Sequence, residues 1–132
     1  MTRATAVIGT ADFATTITVG GRVLTADEPP DNGGGDAGFA PYDLLLSALG
    51  ACTAITLRMY AERKDWDLRS VAVDLHFYRV DKAEKIDRIV TLTGGLDDAQ
   101  RTRLAEICER TPVTLTLKNG LTIATTLLGA DR

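Results

Sequence analysis

The chain has 132 residues, enough for one domain with its own core and no need of disulfide or metal staples. Hydrophobic residues make up 45% and charged residues 25%, which excludes wholesale disorder because apolar burial can offset the entropy of ordering. The formal charge of −3 comes without any long basic run, and this argues against nucleic acid as a partner.

Near the start, Arg3 is not followed by the apolar segment of a signal peptide. The longest apolar stretch, Leu44 to Ile55, falls short of the roughly 20 residues that cross a bilayer. The expectation is a soluble, cytoplasmic protein with no membrane partner, organised as a single domain over residues 1–132. Two cysteines do not make a secreted disulfide framework, and in a reducing compartment a disulfide between them would be transient or catalytic.

In chain order, Ala4 to Ile8 and Thr15 to Val19 are rich in Thr, Val and Ile and read as strands. Gly20-Gly21 is a two-residue hairpin signal, with Arg22 to Thr25 as the returning strand. Asp27 to Gly38, with two prolines and a glycine cluster, reads as a mobile loop. It lacks the Lys-Ser/Thr that would make it a phosphate-binding loop. Pro41 suits the first turn of a helix. From Leu44 to Ile55 that helix carries no charge, and a helix apolar on every side is expected to be buried. Its far end, Glu62-Arg63-Lys64-Asp65, returns to water, and Trp66 is expected to pack over the end.

Val71, Val73, Leu75 and Phe77 alternate with Ala72, Asp74, His76 and Tyr78 as a half-buried strand. Asp81 to Asp87 reads as a hairpin connection, Ile89 to Thr93 as the second strand, and Gly94-Gly95 as its end. Asp97 and Gln100 form a capping box for a helix running to about Arg110, where Pro112 stops it. Its apolar stripe is Leu104, Ile107, Cys108 and Thr111, so Cys108 faces inward. In the tail, Val113, Leu115 and Leu117 alternate with polar residues, Asn119-Gly120 follows, and Leu121 to Leu127 is strand-like, so local propensity alone predicts a β-hairpin.

A cysteine is first a small hydrophobe that packs well. Here both cysteines fall on inward faces of core helices, where they could approach each other. A peroxide-reducing thiol attacks the O–O bond, becomes a sulfenic acid and is then rescued by a second thiol. The residues around Cys52, namely Ala48, Leu49, Ile55 and Thr56, are uncharged, so any activation must come from elsewhere in the fold. The single histidine, His76, lies on the polar side of its strand and is expected to be solvated. No Cys/His cluster has metal-ligand spacing, and neither a metal nor a cofactor is assigned.

Several segments resemble the OsmC/Ohr family. They are Asp27-Glu28-Pro29, the glycines with Asp36 and Gly38, Pro41-Tyr42-Asp43-Leu44-Leu45, Leu49-Gly50-Ala51-Cys52-Thr53, Leu57 to Lys64, Gly95-Leu96-Asp97 and Arg110-Thr111-Pro112-Val113. The match is to the general OsmC-like subgroup. It implies an α+β fold, with antiparallel sheets wrapped around two central helices in an intertwined homodimer. It also implies a helical turn over Pro112 to Lys118 leading to a final strand, against the local β signal.

By the same resemblance, Cys52 occupies the position of the thiol that attacks organic hydroperoxides, and a dithiol, often lipoyl-linked, regenerates it. Three positions depart from the family pattern. Tyr42 stands where the best-characterised peroxidases carry Glu, and Asp43, one step along, is turned about 100° away. Arg22 is the nearest candidate for the arginine that favours the thiolate. Thr111 stands where the resolving cysteine precedes Pro-Val, and Cys108 lies three residues earlier, a shift of roughly 4.5 Å along a helix. Disulfides need Cα separations of roughly 4.4–6.8 Å, so Cys108 is either a relocated resolving thiol or a core residue. The expected function is thiol-dependent reduction of organic hydroperoxides in oxidative-stress defence. The alternatives are a noncatalytic binding protein for an apolar small molecule and a one-cysteine redox sensor.

Overall fold

The computed structural model describes residues 2–129. In chain order the elements are β1 (Thr5–Ile8), β2 (Thr15–Val19), β3 (Arg22–Ala26), α1 (Pro41–Arg63), β4 (Asp67–Val80), β5 (Ala83–Gly95), α2 (Asp98–Cys108) and α3 (Pro112–Asn119), with a 3-10 turn at Pro30–Asn32. The fold is α+β, with a three-stranded sheet in the order β1-β2-β3 and a two-stranded sheet β4-β5. The chain forms two compact units, one of residues up to Gly50 with Asp74–Ile89, the other of Ala51–Val73 with the residues from Val90 on.

In the first unit, β2 pairs antiparallel with β1, from Thr5 opposite Thr18 to Ile8 opposite Thr15, and with β3, from Thr15 opposite Ala26 to Val19 opposite Arg22. The β2–β3 turn is Gly20-Gly21, with φ of 54° and 80°. Positive φ at both central residues is what a type I′ hairpin needs and what only glycine adopts without cost.

The glycine-rich segment after β3 is tied down, contrary to the expectation of a mobile loop. Asp27 N–H donates to Phe39 O at 3.0 Å, which closes the loop's ends. The buried Asp27 carboxylate accepts from Glu28 N–H at 2.7 Å and Ala37 N–H at 3.1 Å. A side chain at Gly38 would place its Cβ 1.9 Å from Thr25 O, so the close backbone approach requires glycine there. The loop delivers the chain to α1, whose start is held by Asp43 Oδ2 accepting from Ala40 N–H at 3.0 Å.

The β4–β5 hairpin corrects the predicted connection over Asp81 to Asp87. The turn is Asp81-Lys82 alone, with Asp81 at φ 57°, and Ala83 to Asp87 belong to β5. The charges there serve the strand rather than break it. Arg79 pairs with Glu84 at 2.9 Å, and Tyr78 Oη donates to Asp87 at 3.0 Å, which pushes the tyrosine's pKa up. The alternation along β4 holds, with Val71, Val73, Leu75 and Phe77 half-buried and His76 exposed.

In the second unit, α1 ends on a Schellman motif. Trp66 N–H donates to Ala61 O at 2.9 Å and Asp65 N–H to Glu62 O at 3.1 Å, with Asp65 at φ 57°. Arg58 donates to the backbone carbonyls of Leu68 and Arg69, fixing the start of β4 against its own helix. The core joins Leu57 and Ala61 of α1, Leu68 of β4, and Leu104 and Cys108 of α2, flanked by Tyr60, Trp66 and Ile107. Arg103 Nε donates to Tyr60 Oη at 3.0 Å and holds that phenol below its ordinary pKa. The predicted capping box of α2 is present, Gln100 N–H to Asp97 at 2.7 Å and Asp97 N–H to Gln100 at 2.9 Å.

Two further expectations change. Helix α1 is not buried on every side: Ile55 is 58% and Met59 48% exposed, while the Leu49, Thr53, Leu57, Ala61 stripe at i, i+4 spacing is covered. At 23 residues α1 also exceeds the apolar run read from the sequence and has the length and composition of a membrane span. Its packed Leu57 and Ala61 and its bonded Arg58 are those of a core helix. The final strand over Leu121 to Leu127 is absent, and Leu121, Ile123, Leu127 and Leu128 are exposed. A strand needs a partner edge, and within the described residues this segment pairs with none.

Backbone donors hold the Asp27 carboxyl below the usual carboxylate range, Glu28 N–H first and Ala37 N–H second. A depressed folded-state value gives stability that is present above the ordinary aspartate value and lost as pH falls through the depressed one. Asp27→Asn should therefore melt below the wild type at neutral pH, with the gap closing below about pH 4. Thermal melts across that range check this.

Candidate functional site

The site is built in the second unit, where α1 brings Cys52 against the start of α3. Cys52 is half-buried, and its Sγ lies 3.9 Å from Thr56 Oγ1, one turn further along the helix. Its principal partner comes from sixty-one residues away: Val113 N–H donates to Sγ at 3.4 Å.

Why α3 is a helix explains the contact. Pro112 occupies its first position, where a missing N–H costs nothing. Thr111, the N-cap residue, would ordinarily accept a hydrogen bond from the first turn, yet its side chain makes none to the backbone. Its hydroxyl instead meets that of Thr114 at 2.6 Å, and Thr114 Oγ1 donates to Cys108 O at 3.3 Å. Lys118 pairs with Glu109 at 2.6 Å near the far end. These ties override the β propensity of the alternating Val, Leu and Thr residues, so the helical turn implied by the resemblance stands and the local hairpin does not.

In effect the sulfur of Cys52 takes the place of a capping oxygen for α3. A backbone donor on the first turn of a helix, aided by the positive end of its dipole, suits an anionic sulfur and any oxyanion that forms on it.

Each of the other sequence candidates has its own surroundings. Cys108 is 7% exposed within the Leu57–Leu104 cluster, and neither cysteine is in a disulfide. Thr111, at the resolving position of the family pattern, is fully buried. Tyr42 and Arg22 belong to the first unit. Tyr42 stacks on Phe77 with ring centroids 4.7 Å apart, and the Arg79 guanidinium lies over both rings at 5.6 and 5.0 Å. Arg22 opens β3, exposed, opposite Val19. Asp43 is spent on the start of α1. His76 stacks on Tyr78 at 5.2 Å. Among the described residues no group of three or more His, Cys, Asp or Glu is placed to hold a metal ion.

Sequence reasoning missed Val113 and Thr114, because a backbone donor has no residue type to betray it. The available signal was Thr111-Pro112, a cap followed by a first-turn proline.

The OsmC-like protein family matches residues 33–126. The chain belongs to this family. The solved structures agree on the fold. An OsmC-like protein from Mycoplasma pneumoniae superposes with a TM-score of 0.77 at 20% identity, over 89% of this chain and 87% of that one. An organic hydroperoxide resistance protein from Legionella pneumophila gives 0.65 at 19% identity, over 89% of each chain. One of the same description from Elizabethkingia anophelis gives 0.66 at 15% identity, over 90% and 89%. No curated protein sequence matches the chain.

Because Leu104 is fully buried beside Cys108, Leu104→Ala should cost about 3 kcal/mol of stability. Urea unfolding measures it.

Proposed function

We propose that this OsmC-like protein reduces organic hydroperoxides through Cys52. The observation that carries this reading is the Val113 N–H aimed at a half-exposed cysteine sulfur, a donor placed where the reaction brings negative charge. The Cys52 thiolate attacks the O–O bond, forming the sulfenic acid, and with one proton the alkoxide leaves as alcohol. An external dithiol then attacks the sulfenic sulfur, water departs, and a second attack returns Cys52 as thiol while the dithiol leaves as a disulfide.

Regeneration by an external dithiol, of lipoyl type in this reading, is supported by two positions. Thr111 replaces the thiol of the family pattern, and Cys108 lies in the apolar core. Cys108 is then a packing residue, and Tyr42 and Arg22 carry no step. A one-cysteine sensor shares the same first step and differs in turnover.

The working form in this proposal is a cytoplasmic homodimer of single-domain chains. Its support is the apolar surface left open in one chain, Ile55 and Met59 on α1 and Leu121, Ile123, Leu127 and Leu128 in the tail. A second chain would cover such side chains. Sedimentation should therefore give twice the chain mass.

The test is consumption of tert-butyl hydroperoxide with dihydrolipoamide as reductant. Wild type and Cys108→Ser should turn over, the latter within about threefold of the former, about 0.7 kcal/mol. Cys52→Ser should be inactive. Undiminished consumption by Cys52→Ser would sink the mechanism, and a single turnover by wild type would leave the sensor.

A further inference from the structure

We infer that Thr114 is a positioning residue for Cys52: its hydroxyl holds that of Thr111 away from the first turn of α3 and so leaves Val113 N–H to the sulfur. The inference rests on Cys52 as the attacking thiol.

The order of protons in the contact run gives the argument. Thr114 Oγ1 donates to Cys108 O, so its one proton is used. With that proton on Cys108 O, the 2.6 Å contact between the two hydroxyls takes the proton of Thr111 in this arrangement, with Thr114 accepting. Thr111 is thereby turned along a line from hydroxyl to hydroxyl to carbonyl. Its oxygen makes no cap bond to the backbone.

Thr111 and Thr114 are 0% and 4% exposed, which leaves little room for water to replace either partner. A threonine at an N-cap ordinarily accepts from the second or third N–H of its helix. In α3 the second is that of Val113, the donor to Cys52. One N–H thus has two candidate acceptors, the sulfur of α1 and, in the ordinary cap geometry, the oxygen of Thr111. The Thr114 hydroxyl decides between them by holding the Thr111 side chain turned toward itself, away from the cap position. Removing it releases Thr111 to cap its own helix and takes the donor from the sulfur.

This predicts a pattern that a loss of packing would not give. Thr114→Val keeps the shape and removes the hydroxyl, and alkylation of Cys52 by iodoacetamide should slow about tenfold, the effect of losing one charge-assisted hydrogen bond. Thr114→Ser should react like the wild type. Thr111→Val/Thr114→Val removes the competing oxygen as well, and should recover the wild-type rate although it has lost a second buried hydroxyl. Cys52 modification is read by peptide mass mapping of the full chain, with thermal melts confirming folding.

Thr114→Val at the wild-type rate, Thr114→Ser as slow as Thr114→Val, or a double variant no faster than the single one would each overturn the inference. Should the valine variants not fold, Val113 amide exchange is compared between wild type and Cys52→Ala. Faster exchange in the variant is expected, and an unchanged rate overturns the inference. Alkylation needs only a reactive thiol, so failure of the peroxidase reading would show in peroxide consumption and leave this result legible.

Discussion

A helix apolar around its whole circumference cannot stand in water, and the rest of this structure follows from the need to cover α1. In the second unit its Leu57 and Ala61 are sealed by Leu68, Leu104 and Cys108, which builds the core and fixes where α2 must lie. In the first unit Leu49 is buried and Gly50 lies so close to Leu75 that an added Cβ would sit 2.8 Å from its Cδ1. The ends of the helix are set by polar chemistry, Asp43 at the start and the Schellman turn with Asp65 at the finish. The side that one chain leaves open, at Ile55 and Met59, is where the demand for cover is unmet.

The same helix carries Cys52, the thiol proposed to react, and covers it only in part. Cys108 is sealed among the aliphatic side chains of the core. Cys52 keeps partial exposure and gains a backbone donor from α3. An N–H needs no charged partner and no side chain, so the proposed role of Cys52 calls on neither the arginine nor the glutamate of the family pattern. Here Tyr42 stacks on Phe77 instead, beneath Arg79.

Much of this was legible in the sequence wherever local chemistry decides the outcome. Gly20-Gly21 makes its turn, Asp97 and Gln100 make their box, and Val71 to Phe77 alternate, because each depends on neighbours a few residues away. The departures occur where distant partners decide. Glu84 and Asp87 look like turn residues until Arg79 and Tyr78 face them across the hairpin. Val113 to Leu117 look like a strand until Cys52, Cys108 and Glu109 hold the segment as α3. The loop from Asp27 to Gly38 looks slack until one buried carboxylate gathers its N–H groups. For the site, the identity of Cys52 came from its family context, whereas its donor emerged only once α3 was in place.

The most direct test of the central claim, that Cys52 is the reactive thiol of this fold, is the intact mass of the reduced protein after one equivalent of an organic hydroperoxide. The account predicts gain of a single oxygen, mapped to Cys52 and trapped by a sulfenic-acid reagent, with no bond to Cys108. An unchanged mass would contradict it, leaving Cys52 as packing alone. Loss of two hydrogens with a Cys52–Cys108 bond would keep the thiol chemistry and overturn the core role given to Cys108.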